Sequence, residues 1–256
     1  HLSLRRQRQM CIRDSHLTTI SLLQSFKPTI EFEDLTYNFV TDFEKFLYES
    51  GYQTNTVAKH MKHLKSFVNA AINKGYIDPN NYAFRRYKIK MKEGKHVFLL
   101  PEEMKRLEEV SLTGRNSCLE HTLDAFLFCC YTGLRYSDFV NLNEKNIVKM
   151  DGKLWLIFDS VKTGTEVKLP LNLLFEGKAL TLLQKYQGKW SSFFSIKNNS
   201  SVNKELIRIG KLAKISKHFS FHSARHTNAT LLIYKGANIT TCLLYTSPSP
   251  RDRSLS

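Results

Sequence analysis

Leu35, Phe39, Phe43, Phe46 and Leu47 recur at the spacing of one helical face, and Gly51 stands where such a helix would stop. A second amphipathic run, roughly 55 to 73, buries Val57, Met61, Leu64, Val68 and Ile72, with Thr54 or Asn55 as its cap and Gly75 at its end. Beyond Asp78-Pro79 the apolar period fades into Arg85, Arg86, Lys88, Lys90, Lys92, Lys95 and His96, a basic stretch loosened by Gly94. Periodicity resumes near Val97. Leu100-Pro101-Glu102-Glu103 opens a helix with proline and acids in its first turn, as the helix dipole favours. Leu119, Leu123, Phe126, Leu127 and Cys130 form a broad apolar stripe that ends near Thr132-Gly133. Residues 154–158 and 166–169 read as two short strands around a turn at Thr163-Gly164. From Leu171 to Ile215 the pattern is again helical, with breaks at Gly188 and in a loop over 198–201. The predicted fold is mainly α with a small antiparallel β-sheet.

Both ends break this pattern. Residues 1–15 and 242–256 carry no sustained apolar period, change composition abruptly and resemble translated adapter sequence, so they read as non-native tails. The predicted divisions are a tail over 1–15, a helical domain over 16–92, a basic linker over 93–97, a second domain over 98–241 and a tail over 242–256.

Charge narrows the partner. Lys and Arg number 38 against 23 acids, a formal charge of +15, while 42% hydrophobic residues suffice for a folded core. The two ends contribute six of the arginines and two of the aspartates, so the basic excess survives without them. A polyanion is the expected partner. The polar side of the second helix bears Lys59, Lys62, His63, Lys65, Ser66 and Asn69 with no acid among them, which points it at DNA; Arg85, Arg86 and Lys88 extend the same reading. The longest apolar stretch, near residues 125–130, is far short of the roughly 18 residues of a membrane span, and no signal peptide is legible. GxGxxG, GxxxxGK[ST] and HExxH are absent from the sequence. Five cysteines without a CxxC pair offer no zinc knuckle, and Cys118, Cys129 and Cys130 read as small core residues.

Three short constellations carry chemistry. Thr132-Gly133-Leu134-Arg135-Tyr136-Ser137-Asp138 delivers an arginine from a glycine turn, with an acid three residues on; Val161-Lys162-Thr163-Gly164 sets a lysine at a hairpin tip; His222-Ser223-Ala224-Arg225-His226 puts His and Arg three apart on one helical face. In this order and spacing they resemble the tyrosine recombinase (phage integrase) family, over most of residues 35–241. The resemblance implies a helical core-binding (SAM-like) domain and an α+β catalytic domain that close around duplex DNA, acting with other protomers in the bacterial cytoplasm at the nucleoid. It also implies strand cleavage and rejoining through a 3′-phosphotyrosyl link, without metal or cofactor. Arg135 and Arg225 match the two arginines on the non-bridging phosphate oxygens, His222 the histidine that assists there, and Lys162 the general acid for the departing 5′-oxygen. Asp138 and His226 match supporting positions.

The family continues from a helix like that at residues 235–239 into an LGH-type turn and then the nucleophilic tyrosine, whereas this chain turns to CLLYTSPSPRD. Tyr234 follows Arg225 too closely and reads as a packing residue; Tyr245 lies in the divergent end without a flanking helix. The expectation is therefore a recombinase cut short ahead of its tyrosine and inactive in cleavage. Three alternatives compete: a DNA-binding protein without catalysis, a type IB topoisomerase with a similar pocket, and a metal site built from His218, His222 and His226 at i, i+4, i+8.

Overall fold

A computed structural model describes residues 2–238, with side chains from residue 13 onward. The chain forms two compact units, His1–Gly94 and Lys95–Ser256.

In the first unit, α1 (Leu2–Phe26), α2 (Tyr37–Glu49) and α3 (Thr54–Asn73) pack around one apolar core. The predicted faces of α2 and α3 supply most of it: Phe39, Val40, Phe43 and Leu47 meet Val57, Met61, Leu64 and Val68. Thr36 starts α2 by accepting the Phe39 N–H, and Gly51 turns the chain at φ +83. The returning segment adds Ile77, Ala83, Phe84 and Tyr87.

α1 is a helix that the apolar pattern did not reveal, and it runs through the boundary expected at residue 15. It docks through a mixed stripe. Leu23 and the Phe26 ring join the core, the latter against Phe39, Phe43 and Phe46, but one turn earlier the buried residue is Thr19. Its hydroxyl lies 2.8 Å from His60 Nδ1 and 2.7 Å from His63 Nδ1. A hydroxyl can donate to one imidazole and accept from the other, so the Nδ1 of each neutral ring has a partner in Thr19.

The expected cap of α3 is corrected. Gln53 occupies that position without a side-chain bond, and the Asn55 side chain instead accepts the Lys92 N–H and donates to the Lys92 carbonyl, both at 2.9 Å. Asn55 thus ties the basic segment following Tyr87 to the start of the basic helix.

The second unit is built on α5 (Glu120–Thr132), which follows α4 (Pro101–Glu108). α5 is buried on every side from Thr122 to Thr132 rather than along a stripe. Pro101 opens α4 at its first position, and Glu103 accepts the Leu100 N–H at 2.8 Å. After α6 (Tyr136–Phe139), β1 (Ile147–Met150), β2 (Lys153–Asp159) and β3 (Glu166–Pro170) form an antiparallel sheet in the order β1-β2-β3, with Ile147 opposite Leu156 and Leu156 opposite Leu169. β1 is a four-residue edge strand whose brief apolar run was not separable from a loop. Then α7 (Lys178–Lys185), α8 (Trp190–Phe194), α9 (Asn199–Leu212) and α10 (Ser223–Tyr234) follow, with α7, α9 and α10 against α5. Phe128, Phe139, Phe193 and Phe194 form a cluster of tilted and edge-on rings.

Three expectations fail here. Residues 198–201 are not a loop: Asn198 caps α9 by accepting the Ser201 N–H at 2.9 Å. Cys118 is exposed on a 3₁₀ turn ahead of α5, while Cys129 and Cys130 are buried as expected. Tyr234 is 64% exposed on the last turn of α10, so it is not a packing residue. Tyr245 lies outside the described residues. Among the described residues no helix is long and apolar enough to cross a membrane.

Burial, with the charges of Lys59 and His63 adding to it, holds His60 down at about 4, against 6.5 for a free imidazole. Between those values the unfolded chain binds a proton that the folded chain refuses, so stability falls as pH is lowered through that window. By about pH 5 this one group accounts for about 2 kcal/mol. Urea unfolding at neutral pH and at about pH 5 measures the loss. We expect it to shrink by most of that amount in His60→Gln, and an equal loss in variant and parent would refute the assignment.

Candidate active site

The turn between α5 and α6 places the first arginine. Gly133 ends α5 in the left-handed region at φ +70, and the chain leaves in an extended conformation at Arg135, which precedes the first residue of α6. Only a residue without Cβ fits at this point. A methyl group on Gly133 would lie 2.8 Å from Asn228 Oδ1 on α10. The last turn of α5 leaves carbonyls without helical partners, and α10 reaches them from the side. Arg225 Nη1 donates to the Gly133 carbonyl at 2.6 Å and Asn228 Nδ2 to the Cys130 carbonyl at 2.9 Å. Thr227, fully buried on the same helix, accepts the Leu99 N–H at 3.0 Å.

Asp138 joins the arginine turn to the sheet. Its carboxylate is 3% exposed and accepts the Val161 N–H at 2.9 Å, with Arg135 Nη1 at 3.6 Å. Ser160 stands between them, with Arg135 Nη1 at 3.4 Å from its hydroxyl and Asp138 Oδ1 at 3.5 Å. The hairpin closes through Ser160 N–H to the Thr165 carbonyl and Gly164 N–H to the Ser160 carbonyl, leaving Lys162 exposed at its tip. The expected supporting acid therefore holds the lysine hairpin as well as the arginine.

His222 is the residue just before α10, one turn ahead of His226, and the two rings meet edge-on with centroids 5.0 Å apart. The structure thus brings Arg225, Arg135 and Lys162 close enough for their charges to act on His222. His222 is held below the ordinary imidazole range by desolvation, then by the charges of Arg225, Arg135, Lys162 and His96. Arg225, 8% exposed, is pushed down to about 10 by burial and by Arg135, with Asp138 opposing. At neutral pH this is a group of fixed cations around one buried carboxylate, a setting that favours an anion with several acceptor oxygens.

The three histidines of the metal alternative are not brought together. His218 lies in the non-helical segment ahead of α10, so the i, i+4, i+8 spacing gathers no triad, and no group of three His, Cys, Asp or Glu among the described residues could hold a metal. In the first unit Lys59, Lys62, Arg85, Arg86 and Lys88 are exposed and Lys65 is half-buried. Sequence reasoning missed Ser160, Asn228 and His96, because each acts across elements that no local spacing relates.

Sequence profiles match the chain twice: a phage integrase SAM-like domain over residues 3–90, and the phage integrase family over residues 97–242. The chain belongs to the phage integrase family. Among curated proteins, it is 27% identical over 220 residues to tyrosine recombinase XerC of Oceanobacillus iheyensis, a match spanning 80% of this chain and 70% of that protein. Its fold is similar to that of lambda integrase residues 75–356, solved as a dimer on a COC′ core site (TM-score 0.74, 17% identity, 99% of this chain and 94% of that one). It is also similar in fold to the Tn1549 transposon integrase solved with circular-intermediate DNA (TM-score 0.64, 18% identity, 99% and 91%).

The approach of Asn228 to Gly133 in this phage integrase is open to a double-mutant cycle. Gly133→Ala should cost about 1–2 kcal/mol for the left-handed backbone, plus the clash with Asn228. Asn228→Ala should cost about 1 kcal/mol for the lost carbonyl bond. The double variant should be more stable than the sum of the two losses, because the clash disappears with the amide. Urea unfolding followed by Trp155 and Trp190 fluorescence reports on this unit, and strict additivity would count against the close approach.

Proposed function

We propose that this phage integrase is a site-specific DNA recombinase whose second unit binds the scissile phosphodiester through Arg135, Arg225, His222 and Lys162. What supports the reading is that Arg135 from the α5–α6 turn, Lys162 from the β2–β3 hairpin and Arg225 from α10 all act on His222. Two planar guanidiniums pair bidentately with the non-bridging oxygens and stabilise the charge that builds on them during displacement. His222, neutral at rest, gains a proton or donates a hydrogen bond as that charge develops. Lys162, on its exposed tip, protonates the departing 5′-oxygen while a tyrosine hydroxyl attacks phosphorus and forms the 3′-phosphotyrosyl bond. A protein that only bound DNA would have no use for two arginines, a lysine and a histidine acting on one another away from its basic helix, and that favours the recombinase over the non-catalytic reading.

The attacking group in this scheme comes from none of the described tyrosines of the unit. Tyr131 bonds Glu108, Tyr136 donates to the Lys197 carbonyl and Tyr186 to Asp124, while Tyr234 stands exposed on α10. In the first unit Lys59, Lys62, Lys65, Arg85, Arg86 and Lys88 contact the duplex backbone. The relatives solved as DNA-bound dimers support action on duplex DNA with other protomers, and the bacterial XerC relative supports a place in the bacterial cytoplasm.

Binding of a labelled duplex, followed by anisotropy, should weaken with salt at a log–log slope of about −0.9 per phosphate contact. Lys59→Glu with Lys62→Glu should flatten that slope by about two contacts. Affinity indifferent to salt would overturn DNA as the partner. On a nicked suicide duplex the 256-residue chain should bind without forming a covalent adduct, with or without divalent metal. An adduct mapped to Tyr234 or Tyr245 would show that one of them is the nucleophile.

A further inference from the structure

His96 comes from the segment ahead of α4, far in sequence from α10, yet its ring lies 4.6 Å from that of His226 at an interplanar angle of 39°. His226 in turn meets His222 edge-on. The contact is between side chains of the same unit, and it makes a continuous row of three imidazoles ending at the phosphate pocket.

We propose that His96 is a positioning residue of the phosphate site, its imidazole holding His226 and, through it, the ring of His222 in place for a phosphate oxyanion. The inference rests on the pocket assignment made under Proposed function and extends it to a residue outside the three constellations. Aromatic contacts of this geometry restrict ring rotation as well as burying area. His222 has little else to fix it: its residue is exposed, it makes no side-chain cap to α10, and its neighbours are cations that repel its protonated form.

The charged groups that act on the two α10 imidazoles are all basic, and Asp138 opposes them at Arg225. Arg225, Arg135, Lys162 and His96 act on His222, and His222, His96 and Arg225 act on His226. Desolvation leads in both cases and holds both rings below the usual imidazole range. A phosphate oxyanion offsets these charges, so its arrival favours protonation of His222 and its affinity should rise as the pH falls. His96 enters this balance twice, as a packing surface and as a neighbouring ring whose charge opposes protonation of His222.

Two substitutions separate those contributions. His96→Phe keeps an aromatic face against His226 and removes the ionisable ring; His96→Ala removes both. The experiment uses the 256-residue chain with histidine labelled at Cε1, with His222 identified by its loss in His222→Gln. Titration is followed by NMR without ligand, with inorganic phosphate and with a short duplex. Inorganic phosphate isolates the oxyanion contact from the rest of the DNA. In the parent, both ligands should move the His222 titration upward. His96→Ala should weaken inorganic phosphate binding by about three- to tenfold, the worth of one aromatic pair, and should raise the ligand-free titration of His222. His96→Phe should raise that titration too, while keeping most of the affinity. Parent-like behaviour of His96→Ala in both measurements would overturn the proposal, as would a loss of affinity in His96→Phe equal to that in His96→Ala. A parent His222 that neither ligand moves would instead refute the pocket assignment itself, and this inference with it.

Discussion

Asn228 on α10 donates to the Cys130 carbonyl in the last turn of α5 and Arg225 to the carbonyl of the Gly133 that ends it, and the placement of the site's charged groups depends on that clasp. The end of a helix carries unpaired carbonyls and a partial negative charge. A guanidinium laid against it keeps its charge despite burial, because the carbonyl dipole replaces part of the lost water. Gly133 makes the approach possible: any side chain there would strike Asn228. The same left-handed residue turns the chain outward to Arg135. One joint therefore sets both arginines, and α5, buried on all sides, supplies the rigid base.

From that joint the order passes to the sheet through Asp138. Its buried carboxylate is shared between the Val161 N–H and the Arg135 guanidinium, which couples the position of the lysine hairpin to that of the arginine turn. The charges of two arginines and a lysine act on His222, and Asp138 opposes them at Arg225. Burial, and after it the neighbouring like charges, pulls Arg225 and His222 down.

The first unit solves a different problem with comparable means. Its basic helix must present lysines outward while packing a third helix that lacks a strong apolar stripe. Leu23 and Phe26 anchor one end of that helix in the aromatic core, and the buried Thr19 hydroxyl pairs with two imidazoles farther along. Polar groups in such a place hold only while each has a partner. Asn55, engaged with Lys92, then fixes where the basic segment leaves the core.

The period of apolar residues by itself determined α2, α3, α5 and the β2–β3 hairpin, and the proline and acids of its first turn determined α4, because these signals are local properties of the chain. The order of Arg135, Lys162, His222 and Arg225 likewise determined the family. Only the tertiary structure decided what lies outside local spacing. α1 was hidden because Thr19 stands where an apolar residue would have marked its face, and β1 because four residues carry too little pattern. Asn55 looked like a helix cap and became a clamp, since its side chain found a partner 37 residues away rather than in its own first turn. Ser160 and Asn228 could not be recognised from the chain, and His96 showed there only as part of a basic stretch. Each owes its place to partners on other elements, and a sequence records which residues are present without recording which of them folding brings together.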